Sequence, residues 1–154
     1  MGGEALTRIG DALAGVSALG LDTSPFIYFM EWHPVHGPVA EEVFRRIDSG
    51  SLQGCTSVVT LTEVLVKPKQ LGQHNLEQSY RNFLLRSRHL TLAPIDTVLA
   101  ERAADLRARY SVRTPDAFQL AAALVAGCQA FLTNDGGLCR VQDLQVLVLN
   151  ELEA

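Results

Sequence analysis

Apolar residues recur along the chain at two different spacings. Short, mostly apolar runs predict strands at 16–21, 54–59, 90–93, 130–133 and 146–149. Between these runs, apolar residues spaced three or four apart predict helices. The predicted helices cover 4–14, a segment opened by Ser24 and Pro25, 39–49, a segment from Thr60 to Lys67-Pro68, 76–88, a segment from the capping residue Asp96 to about Tyr110, and a segment from Thr114 to about Gly127.

Strands that alternate with helices are typical of a parallel sheet covered on both faces. The pattern therefore predicts an α/β fold with three α/β/α layers and a central, mainly parallel sheet. A length of 154 residues suits a single domain over 1–154, in which residues 1–15 form an N-terminal helical extension. The strand at 16–21 is the weakest prediction, because Ala18 and Gly20 are poor strand formers.

Four acidic residues fall in otherwise apolar or tightly turned segments. Asp22 and Asp135 each follow a predicted strand, and Glu63 lies in the first turn of the helix after 54–59. Asp116 opens an alanine-rich helix that is apolar almost all round, so this helix should be buried. Since ligands of such folds bind outside the carboxyl ends of the strands, we expect the four carboxylates to converge there.

Each of these acids also has a local structural explanation. Asp22 can mark the start of a helix, and Asp116 can complement a helix dipole. Thr60 and Glu63 match a capping box, and Asp135 fits a turn in Asn-Asp-Gly-Gly. Taken singly, each explanation is at least as good as a role in a site. Their common location at one edge of the sheet favours a site.

Converging carboxylates repel one another unless they hold cations or protons. Oxygen ligands without Cys or His suit Mg²⁺ or Mn²⁺ rather than zinc. Mg²⁺ held in this way can activate water and neutralise charge that builds up on a phosphodiester. The net charge of −4 provides no global basic field for nucleic acid, so any such contact is expected from a local patch or a bound cation.

At four segments the chain resembles a PIN domain of the VapC-type ribonuclease toxins. The segments are Leu21-Asp22-Thr23-Ser24, Thr60-Leu61-Thr62-Glu63-Val64-Leu65, Pro115-Asp116-Ala117-Phe118-Gln119-Leu120-Ala121-Ala122-Ala123 and Leu132-Thr133-Asn134-Asp135. Their order and spacing span residues 16–149. The resemblance implies that Asp22, Glu63, Asp116 and Asp135 are catalytic residues that bind one or two Mg²⁺ or Mn²⁺ ions. Thr133 matches the small hydroxyl residue often found beside the fourth acid.

The same resemblance implies an RNA substrate, a small antitoxin protein as partner, a homodimer as a further assembly, and a cytoplasmic location. Three cysteines without a C-x-x-C pair agree with a reduced, intracellular protein. No apolar run reaches transmembrane length, so no membrane partner is expected. The competing interpretation is an inactive PIN-like scaffold that binds a protein or RNA without cutting. The presence of all four acids favours the enzyme.

Two other candidate sites are weaker. His33 and His36 are three residues apart, but they lack further metal ligands nearby and are expected to be loop histidines. A phosphotransfer enzyme with an Asp nucleophile after the first strand usually needs a second Asp two residues later. Ser24 occupies that position, which argues against this class.

The 11 arginines and 2 lysines leave the RNA-binding surface open. Arg102, Asp105 and Arg109 have helical spacing and are expected to pair with each other on a solvated face. Five other arginines are candidates for holding RNA, although a solvated face is the better explanation for any one of them. These are Arg81, Arg86, Arg88, Arg107 and Arg113.

Overall fold

A computed structural model describes residues 3–154, so the first two residues of the predicted extension lie outside it. The strands are β1 (Thr7–Arg8), β2 (Ala18–Leu21), β3 (Gln53–Ser57), β4 (Leu90–Ala93), β5 (Ala130–Thr133), β6 (Gln145–Val148) and β7 (Leu152–Glu153). The helices are α1 (Ile9–Ala12), α2 (Thr23–Met30), α3 (Gly37–Ser49), α4 (Val58–Leu71), α5 (His74–Arg86), α6 (Thr97–Tyr110) and α7 (Thr114–Val125). Short 3₁₀ turns cover Gly136–Arg140 and Leu149–Glu151.

Five parallel strands form the central sheet in the order β4-β3-β2-β5-β6. β3 and then β4 follow β2 on one side of the sheet, and β5 and β6, which come later in the chain, lie on the other side of β2. The strand order therefore reverses beside β2, which is where open α/β sheets form their binding crevice. The predicted three-layer α/β/α fold with a mainly parallel sheet is confirmed.

Alternate residues of each strand face opposite sides of the sheet, and each side has its own apolar core. Leu19 and Leu21 of β2 lie in the cluster that packs under α2, α3 and α5. Phe131 of β5 lies in the other cluster, beneath α6 and α7. The predicted burial of α7 is confirmed, since Ala117, Leu120 and the three alanines that follow are at most 1% exposed. No helix within residues 3–154 is long and apolar enough to cross a membrane.

The helix predicted for residues 4–14 is wrong over most of its length. Thr7–Arg8 form β1, which pairs in parallel with β7, and only Ile9–Ala12 are helical. β7 offers the backbone of Thr7 and Arg8 an alternative set of partners. Of the three residues that give this segment its helical spacing, Ile9 and Leu13 are buried in the core, but Leu6 is 47% exposed.

The predicted start and end of α4 are also wrong. The helix begins at Val58, because the hydroxyl of Ser57 accepts a 3.2 Å hydrogen bond from the Val59 N–H and caps it. Glu63 therefore lies in the second turn, and the Thr60–Glu63 capping box does not exist. At the other end α4 continues through the buried Pro68 as far as Leu71, where packing against α5 outweighs the local effect of the proline.

The predicted pairing of Arg102, Asp105 and Arg109 is wrong, because no ion pair within residues 3–154 joins Asp105 to either arginine, and Arg109 has another partner. Its guanidinium instead donates two 3.0 Å hydrogen bonds to the Asp143 carboxylate, which is distant in sequence. A bidentate contact of this kind is stronger than a single hydrogen bond between exposed side chains one helical turn apart. The Asp96 cap on α6 is confirmed, since its carboxylate accepts a 2.9 Å bond from the Leu99 N–H.

Gly20 lies where α7 approaches β2 most closely. A Cβ atom at this position would lie 2.4 Å from the Ala123 Cβ and 2.9 Å from the Phe131 ring. We expect Gly20→Ala to lower the free energy of unfolding by about 1–3 kcal/mol, as overpacking of a close-packed core does. Urea denaturation measures this effect. Gly136→Ala is the control, because a Cβ there meets nothing within 4 Å; equal losses in both variants would contradict the prediction.

Candidate functional site

Asp22 and Asp135 lie at the carboxyl ends of the two neighbouring strands where the strand order reverses. Asp22 follows β2 and caps α2, in place of the predicted Ser24, by accepting a 2.9 Å bond from the Thr23 N–H. Its second oxygen accepts a 2.7 Å bond from the Thr133 hydroxyl at the end of β5. Asp135 caps the following 3₁₀ turn through a 2.9 Å bond from the Gly137 N–H. Both acids thus have the local roles expected of them, in addition to their position at the crevice.

Glu63 and Asp116 reach the same place from two helices. The Glu63 carboxylate on α4 accepts a 2.7 Å hydrogen bond from the Thr23 hydroxyl. Asp116 lies in the first turn of α7, where its side chain is only 12% exposed. All four predicted acids line a single depression of about 350 Å³. Their convergence at the strand edge is therefore present in the structure.

A buried amide and three hydroxyl groups lie beneath this depression. Gln119 on α7 is 2% exposed, and its Nε2 donates to the Thr60 hydroxyl at 2.6 Å and to the Thr23 hydroxyl at 3.3 Å. Its Oε1 accepts a 2.5 Å bond from the Ser57 hydroxyl. The three hydroxyls come from α2, α4 and the end of β3, so Gln119 joins the elements that carry Asp22, Glu63 and Asp116.

The hydroxyl protons in this network can be assigned by elimination. Thr56 donates its single proton to the Leu21 carbonyl at 2.8 Å, so it must accept in its 2.8 Å contact with Thr60. Thr60 therefore donates its own hydroxyl proton to Thr56. Thr60 then has no proton for its 3.2 Å contact with Thr23, and the Thr23 hydroxyl donates to the Glu63 carboxylate, the nearer acceptor at 2.7 Å. The network consequently holds a hydrogen-bond donor against the Glu63 carboxylate and fixes its orientation.

Gln119 was not among the predicted site residues, and Thr60 was predicted to cap a helix rather than to join this network. Gln119 is polar in an apolar run and lies one helical turn after Asp116; Thr60 lies one turn before Glu63. Polar residues three positions from a candidate ligand on a buried helix are the signal that indicates such a network. His33 and His36 lie in the loop between α2 and α3, as expected, with their rings packed against Tyr28.

Burial is the largest influence on the Asp22 carboxyl, and it raises the pKa above its ordinary value. The hydrogen bonds from Thr133 and Thr23 oppose this shift, whereas the negative charges of Asp116 and Glu63 add to it. Arg113 supplies a positive charge at the rim, where its Nε lies 3.2 Å from the Asp116 carboxylate. This hydrogen bond raises the pKa of the guanidinium, as do the nearby Asp135 and Glu63.

The donor chemistry of the depression fits a hydrated Mg²⁺ or Mn²⁺ ion. Within residues 3–154, no group of three or more His, Cys, Asp or Glu side chains is arranged so that it could hold a metal ion by itself. Mg²⁺ does not require such a group, because it usually keeps several waters and binds through one or two carboxylates. The depression offers four carboxylates, one of which is the partly buried Asp22. The negative charges of Asp116 and Glu63 act on Asp22, so a cation bound here would reduce the repulsion.

The sequence profile of the PIN domain matches residues 20–144. The chain therefore belongs to the PIN domain family. No protein of curated function matches the sequence.

Several solved structures share the fold. A toxin–antitoxin complex from Klebsiella pneumoniae is 25% identical, with a TM-score of 0.65 over 86% of this chain and 98% of that chain. VapBC2 from Rickettsia felis, bound to a promoter DNA fragment, is 15% identical, with a TM-score of 0.68 over 85% and 98% of the two chains. FitAcB from Neisseria gonorrhoeae is 19% identical, with a TM-score of 0.66 over 88% and 99%.

Replacing Gln119 should destabilise the fold. Gln119→Met leaves the buried Ser57 hydroxyl without its acceptor and removes the donor to Thr60, so we expect a loss of about 1–3 kcal/mol for each group left unsatisfied. Urea denaturation measures the change. Gln78→Met, at an exposed position on α5, is the control and should stay within about 0.5 kcal/mol of wild type. A Gln119→Met protein as stable as this control would contradict the network.

The raised pKa of Asp22 predicts a pH dependence of stability. The folded protein keeps this proton to higher pH than the unfolded chain does, so the stabilisation is complete below about pH 4 and is lost as the pH rises through the raised pKa. In EDTA, the free energy of unfolding of wild type minus that of Asp22→Asn should therefore fall as the pH rises from about 4 through the raised pKa. Asn keeps the capping oxygen. A difference that stays constant or rises would refute the assignment.

Glu77 provides a control of opposite sign for this measurement. Hydrogen bonds from Lys69 and Arg81 lower its pKa to about 2, from an ordinary value of 4.5. Its stabilisation is therefore present above about pH 4.5 and is lost as the pH falls towards 2. The free energy of unfolding of wild type minus that of Glu77→Gln should consequently rise with pH over the acidic range.

Proposed function

We propose that the protein is a metal-dependent endoribonuclease that hydrolyses phosphodiester bonds of RNA. The observation that carries this proposal is the convergence of Asp22, Glu63, Asp116 and Asp135 on one depression of a PIN domain. Separate local roles for the four acids do not explain why they lie together. A shared role in holding a cation explains it.

The proposed ligands are these four carboxylates, either directly or through metal-bound water. A bound Mg²⁺ or Mn²⁺ ion would activate water and neutralise charge at the scissile phosphate. The chain itself orients the carboxylates: Thr133 and the Thr23 N–H hold Asp22, and the Thr23 hydroxyl holds Glu63. Preorganisation of this kind lets the site accept charge without rearranging.

We further propose that this nuclease is the toxin of a toxin–antitoxin pair in the cytoplasm and that a small antitoxin protein binds it. This proposal is supported by the similar complexes, among which the Klebsiella pneumoniae structure is described as a toxin–antitoxin complex. A homodimer is a further assembly proposed for the chain. Copurification with the product of a small neighbouring gene tests the antitoxin partner directly.

An inactive PIN-like scaffold that binds a protein or RNA is the competing function. Such a scaffold has no need to keep four carboxylates in one depression at the cost of their mutual repulsion. It also has no need to bind Mg²⁺. Titration with the metal alone therefore separates the two functions before any RNA is tested.

Cleavage of single-stranded RNA should require a divalent cation and Glu63. We expect activity to vanish in EDTA and to return with Mg²⁺ or Mn²⁺. Glu63→Gln should lower the rate by about 100-fold or more, since even the outer partners of a metal site typically account for roughly 10–100-fold. The glutamine can still accept the Thr23 hydrogen bond, so stability should change little.

Glu101→Gln is the matched control, because Glu101 is exposed on α6 and lies outside the depression. It should cleave RNA at the wild-type rate. Undiminished cleavage by pure wild-type protein in EDTA would rule out the metal mechanism. Full activity in Glu63→Gln would remove Glu63 from the proposed site.

A further inference from the structure

Arg113 carries the only positive charge among the described residues that line the acidic depression. It immediately precedes α7, with an extended backbone, and its side chain folds over the first turn of that helix. Its Nε lies 3.2 Å from Oδ2 of Asp116. One of the four proposed metal ligands therefore already has a cationic partner from within the chain.

The two side chains of this ion pair differ greatly in exposure. The Arg113 side chain is 79% exposed, whereas that of Asp116 is 12% exposed. The guanidinium thus lies at the rim in water, and the carboxylate lies in the depression. The arginine therefore stays hydrated when it leaves, whereas the partly buried carboxylate needs another cation in its place, which a bound metal ion would supply.

The contact with Asp116 also leaves most of the guanidinium free. Within residues 3–154, only Nε of Arg113 takes part in a hydrogen bond, and the two terminal nitrogens have none. Those nitrogens form the edge that binds a phosphate through two parallel hydrogen bonds. Arg113 can therefore contact an anion above the depression.

Other arginines of the chain are held elsewhere. Arg81 binds Glu77, and Arg109 binds Asp143. Arg107 donates to the Val112 carbonyl, and Arg140 donates to the Tyr110 carbonyl. Arg86 and Arg88 do not line the depression, so among the arginines first considered for RNA contact Arg113 is the one that the structure places at the carboxylates.

We propose that Arg113 is an internal counter-cation that competes with the divalent metal for Asp116 and, once displaced, binds a phosphate of the RNA strand. This inference rests on the proposed nuclease function. Metal and guanidinium both bind the same carboxylate and repel each other, so each weakens the binding of the other by the same factor. The released guanidinium would remain at the rim of the depression, where its terminal nitrogens would bind a phosphate of the RNA.

The first test measures Mg²⁺ binding without RNA, by titration calorimetry at low ionic strength, on the full-length chain. We expect Arg113→Gln to bind Mg²⁺ about three- to tenfold more tightly than wild type, as removal of one exposed competing charge implies. Arg109→Gln is the matched control, because it breaks another Arg–Asp pair away from the depression. It should bind Mg²⁺ with wild-type affinity. Melting curves in EDTA verify that each variant is folded.

The second test measures RNA cleavage at saturating Mg²⁺. Loss of one phosphate contact should raise KM for single-stranded RNA about tenfold in Arg113→Gln. It should also reduce the slope of log(kcat/KM) against log[salt] by about 0.7. Arg113→Lys keeps the charge but not the planar guanidinium. Its salt dependence should therefore be close to that of wild type, and its KM should lie between those of wild type and Arg113→Gln.

Tighter Mg²⁺ binding together with a higher KM in Arg113→Gln would support the inference. Equal or weaker Mg²⁺ binding would overturn the competition, and an unchanged KM and salt slope would overturn the phosphate contact. Wild-type protein that binds no Mg²⁺ at all would overturn both this inference and the proposed function. Wild-type protein that binds Mg²⁺ but cuts no RNA would overturn the nuclease and with it the phosphate contact, while the calorimetry would still decide the competition.

Discussion

The close packing of α7 against β2 is the contact on which the acidic depression depends. Gly20 has no side chain, and α7 presents Ala123 to it, so the helix lies against the sheet with no room for a methyl group between them. That approach brings the first turn of α7, with Asp116, to the edge where β2 ends at Asp22. A larger residue at either contact would overpack the core and push the helix outward, away from the strand end that carries Asp22.

The hydrogen-bonded network under the depression carries this placement to the other elements. Gln119 reaches from α7 to hydroxyls on α2 and α4, and Thr23 extends the connection to Glu63. A buried amide is costly unless all of its groups are bonded, and here both ends of the Gln119 side chain have partners. The network therefore tolerates little relative movement of the three elements, and it gives the depression a rigid floor.

Electrostatic repulsion acts against this rigid geometry. Four carboxylates share one depression, and the raised pKa of Asp22 reflects both its burial and the neighbouring charges. Such strain is common at functional sites, where the surrounding structure compensates for it. Arg113 relieves part of the repulsion from the rim, but its exposed side chain is bound less firmly than the buried network beneath. The floor of the site is therefore fixed, and its charge balance is adjustable.

Local patterns in the sequence were sufficient to predict the alternation of strands and helices, the buried α7 and the position of Asp22 and Asp135 after their strands. These features follow from spacing and capping within a few residues, and the roles of the four acids stay a prediction. Only the tertiary structure decided that β1 pairs with β7 and that Gln119 joins α7 to hydroxyls on α2 and α4 beneath the site. Each of these contacts joins segments that are far apart in the sequence and meet only when the chain has folded. The residues near each position in the chain therefore do not determine its partner.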